Sequence, residues 1–179
     1  EYVDKTSLIP LINATIDTES RYSCVTRCRR FGKSMAAKML CAYYDKSCSS
    51  RELFRGLKAE HDPSFEAYLN QYSVPYLEGT SFTARPELRR NIVRAMQDEI
   101  ICELKEAFPD VKYKENADLM GVLSAIYHAT GERFFFIIDE WDAICREFPE
   151  RQKLKGDPDT VAPTILDEYV MLLRRLFKT

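Results

Sequence analysis

Phe134-Phe135-Phe136-Ile137-Ile138 runs without a polar interruption into Asp139-Glu140-Trp141-Asp142. A run this short, aromatic and β-branched suits a strand covered on both faces, as in a parallel sheet with helices on each side. The acidic residues then emerge at the carboxyl end of a buried strand, which is the edge where open parallel sheets bind ligands. This one feature points to an α/β chain built around a mostly parallel sheet.

A second feature stands far upstream. Residues 21–26 (RYSCVT) are β-prone and lead into the basic loop Arg27-Cys28-Arg29-Arg30-Phe31-Gly32. Residues 33–44 then read as a helix, with Met35, Met39, Ala42 and Tyr43 on one face. A strand-loop-helix turn leaves amides unpaired at the helix start, where the helix dipole favours anions. Gly32 permits close approach of backbone to a phosphate. Lys33 is spaced to reach β- and γ-phosphates, and the Ser34 hydroxyl to coordinate magnesium. The generic phosphate-loop pattern asks for Gly where this chain has Arg27. A bare Gly-Lys-Ser also opens many surface helices, so the specificity lies in its joint occurrence with the acidic strand end.

At that end, Asp139 suits magnesium, directly or through water, because hard cations take oxygen ligands. Glu140, one residue on, is suited to position or deprotonate an attacking water. Arg29 and Arg30 either add positive charge near a γ-phosphate or form surface ion pairs, and the sequence leaves both open. Trp141 reads as a core aromatic at the sheet edge rather than a base-stacking residue. Arg174 and Arg175 read as a solvated, dipole-matching face near a helix end.

Between these features the pattern predicts a short helix from Asp62-Pro63 through about Tyr72 and a strand at 74–77, with Pro75 near its start. A long helix from Pro86 places Leu88, Ile92, Ala95, Met96, Ile100 and Leu104 on one stripe. A helix over 119–129 has apolar positions Met120, Leu123, Ile126 and Tyr127. Residues 153–158 form a polar turn, and a last helix from about Pro163 turns Ile165, Leu166, Tyr169, Leu172, Leu173 and Leu176 inward.

Composition excludes several classes. Lys plus Arg number 26 against 28 Asp plus Glu, giving a net charge of -2; this is not the footprint of a nucleic-acid-binding domain. No apolar run approaches the ~20 residues that span a bilayer. The six cysteines include no C-x-x-C pair and His61 and His128 stand alone, so reduced thiols in a cytoplasmic protein are expected.

The phosphate loop and acidic pair, with Tyr2-Val3-Asp4-Lys5-Thr6 near the start, resemble the bacterial AAA-ATPase-like family. The likeness runs through Y-V-D-K-T, T-R-C-R-R-F-G-K-S, A-Y-Y-D-K-S-C, F-I-I-D-E-W-D and L-L-R-R-L-F-K. The family pattern reads T-R-P-R-R-F-G-K-S, so Arg27 fits it and Cys28 departs from it without removing a ligand atom. The resemblance implies a P-loop NTPase-type three-layer sandwich that binds ATP with Mg2+ and hydrolyses it to drive a conformational change. The alternative is a nucleotide-dependent switch or assembly platform with negligible turnover.

On this likeness Arg29, Arg30, Phe31, Gly32, Lys33 and Ser34 hold the nucleotide, Ser34 and Asp139 hold the metal, and Glu140 is catalytic. Residues 2–6 either line an adenine pocket or serve as a packing segment, and packing is the preferred reading. The family's ATPase region is often followed by a PD-(D/E)XK-type nuclease domain, so contact with nucleic acid is expected only through such downstream parts. Homo-oligomerisation is left open, and no membrane contact is expected. Related sites with an added Glu place a further strand between the loop strand and the acidic strand, later in sequence than the acidic pair. The resemblance therefore implies that residues 1–179 are the N-terminal part of the ATPase domain, incomplete at the C-terminus and poorly stable in isolation.

Overall fold

The structure is a computed structural model that describes residues 3–26, 28, 30–148 and 164–177. The chain forms two units: Glu1–Leu77 with Glu132–Asp139, and Glu78–Gly131 with Glu140–Thr179. It is α/β, with a small parallel sheet and eight α-helices among the described residues.

In the first unit, α1 (Leu8–Asn13), α2 (Lys33–Tyr44) and α3 (Phe65–Tyr68) surround an aromatic core. The Ala, Met, Leu and Lys of α2 are strong helix formers, and the helix occupies the predicted residues. Its buried stripe is Ala36, Leu40, Tyr43 and Tyr44. The expected stripe shared only Tyr43 with it, and Met35 is 67% exposed.

The two tyrosines set that rotation. Tyr43 packs edge-on against Tyr44 and Phe54, and the Tyr44 ring stacks on Phe135 with centroids 4.0 Å apart. Their hydroxyls are satisfied inside the core: Tyr44 donates to Asn13 Oδ1 at 2.7 Å and Tyr43 to the Phe65 carbonyl at 2.7 Å. Asn13 Nδ2 in turn donates to Tyr43 and to Ser64. Buried polar groups are retained where each finds a partner, and these hydroxyls can do so only with α2 in this rotation.

Strands β1 (Tyr76–Glu78) and β2 (Ile137–Asp139) pair with each other. Parallel pairing extends upstream through the bridge between Ser73 and Phe134, and the Ile137 amide donates to the Pro75 carbonyl. Pro75 is tolerated because its carbonyl, not the missing amide, serves the ladder. The acidic strand thus begins later than the apolar run suggested. Only Ile137 and Asp139 in it are buried, and Phe134, Phe135, Phe136 and Ile138 are half-buried.

Two expected elements change. Residues 21–26 form no strand and are exposed throughout; β-propensity needs a neighbour to supply ladder bonds, and among the described residues the sheet pairs β1 with β2. The helix expected over 62–72 shrinks to α3. The α3 helix ends at Tyr68, and Tyr72 instead bridges in parallel to Asp45.

The second unit is helical: α4 (Gly79–Thr83), α5 (Ile92–Ala107), α6 (Leu119–Thr130), α7 (Ala143–Glu147) and α8 (Ile165–Phe177). The helix expected from Pro86 is split. Pro86–Leu88 is a 3-10 turn, Asn91 is non-helical, and α5 then buries Ile92, Met96, Ile100 and Leu104 as the stripe predicts. Asp118 caps α6 by accepting from the Gly121 amide at 2.9 Å, and left-handed Gly131 ends it. Leu123 and Ile126 are buried there as expected, whereas Leu119 and Val122 are buried in place of Met120 and Tyr127.

Helix α8 buries Tyr169 and Leu172. Thr164 and Asp167 exchange hydrogen bonds at its start, a capping box with Asp in the third position. The predicted turn at 153–158 and the expected helix start at Pro163 lie outside the described residues. Among the described residues, no helix is long and apolar enough to cross a membrane.

Candidate functional site

The residues expected to form a phosphate loop lead into α2, which begins at Lys33. Arg30 and Gly32 are both left-handed, with φ of 67° and 72°. Arginine rarely takes that conformation, at a cost of roughly 1–2 kcal/mol. Gly32 is the N-cap of α2, and having no side chain it leaves the first-turn amides uncapped from that position. Lys33 is half-buried, Ser34 is exposed and Phe31 is 64% exposed. Arg30 is exposed as well. Arg27 and Arg29 lie outside the described residues.

Asp139 closes β2 and is 7% exposed. The Tyr76 hydroxyl on β1 donates to its Oδ2 at 3.3 Å. Helix α2 packs on β2. Tyr44, at the carboxyl end of α2, stacks on Phe135, which precedes β2. The carboxyl end of α2 therefore lies beside the approach to β2, and Lys33 and Ser34 open the helix at its other end. Asp139 and Ser34 each carry an oxygen donor of the kind that hard cations take.

Glu140 follows Asp139 directly but belongs to the second unit. It is left-handed, with φ of 48°, and its carbonyl accepts from the Ala143 amide at the start of α7. Arg146 on α7 reaches back to both acidic side chains, at 3.1 Å from Glu140 and 2.5 Å from Asp142. Those hydrogen bonds, to Asp142 first and Glu140 second, hold the guanidinium more firmly in its charged form. Gly79 passes so close to the Glu140 carbonyl that a Cβ there would collide with it.

Three of these residues escaped the sequence reading: Tyr76, Gly79 and Arg146. Arg146 was legible in principle, because four residues after Asp142 is helical pairing distance. Gly79 and Tyr76 carry no local signal, since their partners are remote in sequence. The segment around Lys5 is the packing element preferred from sequence. Thr6 is fully buried, and Asp4 accepts from the Thr6 amide and hydroxyl and from the Lys58 amide. Thr6 Oγ1 accepts from the Ala59 amide at 3.1 Å. Yet the Lys5 ammonium also donates to the Phe31 carbonyl in the phosphate loop. Trp141 is not a core aromatic: it is 46% exposed, and its carbonyl accepts from Tyr169.

The fold and these residues define an α/β chain with a glycine-led basic loop at a helix start and an acidic strand end. The family model described as "Predicted AAA-ATPase" matches residues 1–175, and the chain belongs to this AAA-ATPase-like family. No curated protein and no solved structure matches it.

Proposed function

We propose that this chain binds ATP with Mg2+ and hydrolyses it, using the released energy to change conformation. The observation that carries this reading is left-handed Gly32 opening α2, with α2 packed on the strand that ends in buried Asp139. A three-layer P-loop sandwich belongs to the same reading, supported by the parallel pairing of β1 with β2 and by α2 against β2.

Each residue has a distinct task. The amides at the start of α2 and the charge of Lys33 bind the β- and γ-phosphates. The Ser34 hydroxyl and the Asp139 carboxylate hold magnesium, which supplies charge neutralisation at the transferring phosphate. Glu140 orients the attacking water and accepts its proton. Arg30, and Arg29 with it, add positive charge at the loop, and Phe31 carries the peptide that leads into Gly32.

Lys33→Ala should abolish magnesium-dependent ATP binding in calorimetry while leaving the melting curve unchanged. Glu140→Gln should keep binding and lower turnover by about 10²–10⁴-fold; equal phosphate release by the two chains removes Glu140 from its role. One observation favours the second reading, a nucleotide-dependent switch with negligible turnover: the Glu140 carboxylate is engaged by Arg146. Binding without turnover in the unmodified chain selects it.

A further inference from the structure

We propose that Lys5 is a positioning residue of the nucleotide site, holding the Phe31–Gly32 peptide so that its amide faces the phosphate. The inference rests on the reading of the loop as a triphosphate site. The Lys5 ammonium reaches the loop from 26 residues upstream of Phe31.

The delivery is built. Asp4 Oδ1 accepts from the Thr6 amide at 2.8 Å and the Thr6 hydroxyl at 2.7 Å, and Asp4 Oδ2 accepts from the Lys58 amide at 2.9 Å. The fully buried Thr6 is fixed in turn by the Ala59 amide. Lys5 stands between these two anchored residues, so its backbone position is set from both sides. Its ammonium donates to the Phe31 carbonyl, a charge-assisted bond.

The peptide plane supplies the consequence. In a trans peptide the carbonyl of one residue and the amide of the next point in opposite directions. With the Phe31 carbonyl drawn toward Lys5, the Gly32 N–H points the other way. The same ammonium fills the space that a side chain at residue 32 would occupy, since a Cβ there would collide with Lys5 Nζ. Glycine at this position answers the demand of a left-handed backbone, and a side chain there would displace the flexible end of Lys5. Lys5 lies on the carbonyl side of the loop, which makes it a scaffold for the phosphate-binding amides rather than a phosphate ligand.

The test compares the 179-residue chain with Lys5→Met, Lys5→Arg and Lys33→Ala. Magnesium-ATP affinity is measured by calorimetry, the Gly32 amide by ¹⁵N NMR without nucleotide, and folding by thermal melting. Lys5→Met should keep the melting curve, shift the Gly32 amide resonance and bind ATP at least about tenfold more weakly; Lys5→Arg should restore both. Wild-type binding that Lys33→Ala abolishes but Lys5→Met leaves intact overturns this inference alone, as does an unmoved Gly32 amide. Weakened binding in both Lys5 variants with a lowered melting temperature also overturns it, because Lys5 would then serve the fold. No binding by the unmodified folded chain overturns the triphosphate reading and this inference with it.

Discussion

Tyr76 and Asp139 show how much a single hydroxyl can decide. The phenol donates to Asp139 Oδ2 at 3.3 Å, at the end of β2. On the proposed reading of Asp139 as a magnesium ligand, losing a group that orients it typically costs about 10–100-fold in affinity. Tyr76→Phe should therefore raise the magnesium concentration needed for half-maximal ATP binding by about tenfold, with the ring still packed and the melting temperature nearly unchanged. A titration of magnesium at fixed ATP checks this; identical curves would leave Tyr76 as a packing residue. The sequence made Asp139 visible because its carboxylate interrupts an apolar run. Tyr76 stayed hidden because its partner is 63 residues away.

Elements were legible where their signals are local. Helix α2 took its predicted residues because its formers and its glycine start lie within its own segment. Helix α6 agreed to within a residue for the same reason, with Asp118 and Gly131 at its ends. The strand expected at 21–26 failed because a strand is a property of two segments, as did the outer parts of 134–138. The rotation of α2 was missed because the hydrogen bonds of Tyr43 and Tyr44 run to Asn13 and Phe65, which periodicity does not see.

Helix α4 adds a constraint of the same remote kind. A Cβ on Gly79 would meet the Glu140 backbone oxygen and lie 3.2 Å from the Ala143 side chain. Backbone cannot yield as a flexible side chain does, so Gly79→Ala should destabilise the chain by about 1–3 kcal/mol. Thermal melting measures the loss; an unchanged melting temperature would mean that α4 moves freely from Glu140.

For the whole molecule, the aromatic core of the first unit sets an alkaline limit on stability. Burial pushes the Tyr43 phenol from 10.0 up to about 12, against the opposing hydrogen bond from Asn13, and burial moves Tyr44 in the same direction. A phenol whose folded value is raised holds its proton longer in the folded state than in the unfolded one. Its contribution is complete below pH 10 and is lost as pH rises toward 12. Circular dichroism followed with tyrosinate absorbance should show unfolding and ionisation together in that window; ionisation of these phenols in a still-folded chain would contradict it. The family relationship and the α/β class were legible across the whole chain, whereas the division into two units was not. That division depends on residues 132–139 returning to the segment before Leu77.

The return has a consequence for how the protein is made. Ser73 donates to Glu132 from a position 59 residues earlier in the chain, and β1 has no β2 to pair with until Asp139 has been added. On the ribosome, the first unit must wait with an open strand edge while the helices α4, α5 and α6 emerge. Local helices form in microseconds or less, far faster than elongation at roughly 5–20 residues per second. Helices α4, α5 and α6 can thus form before the sheet closes, and closure waits for the synthesis of residues 137–139.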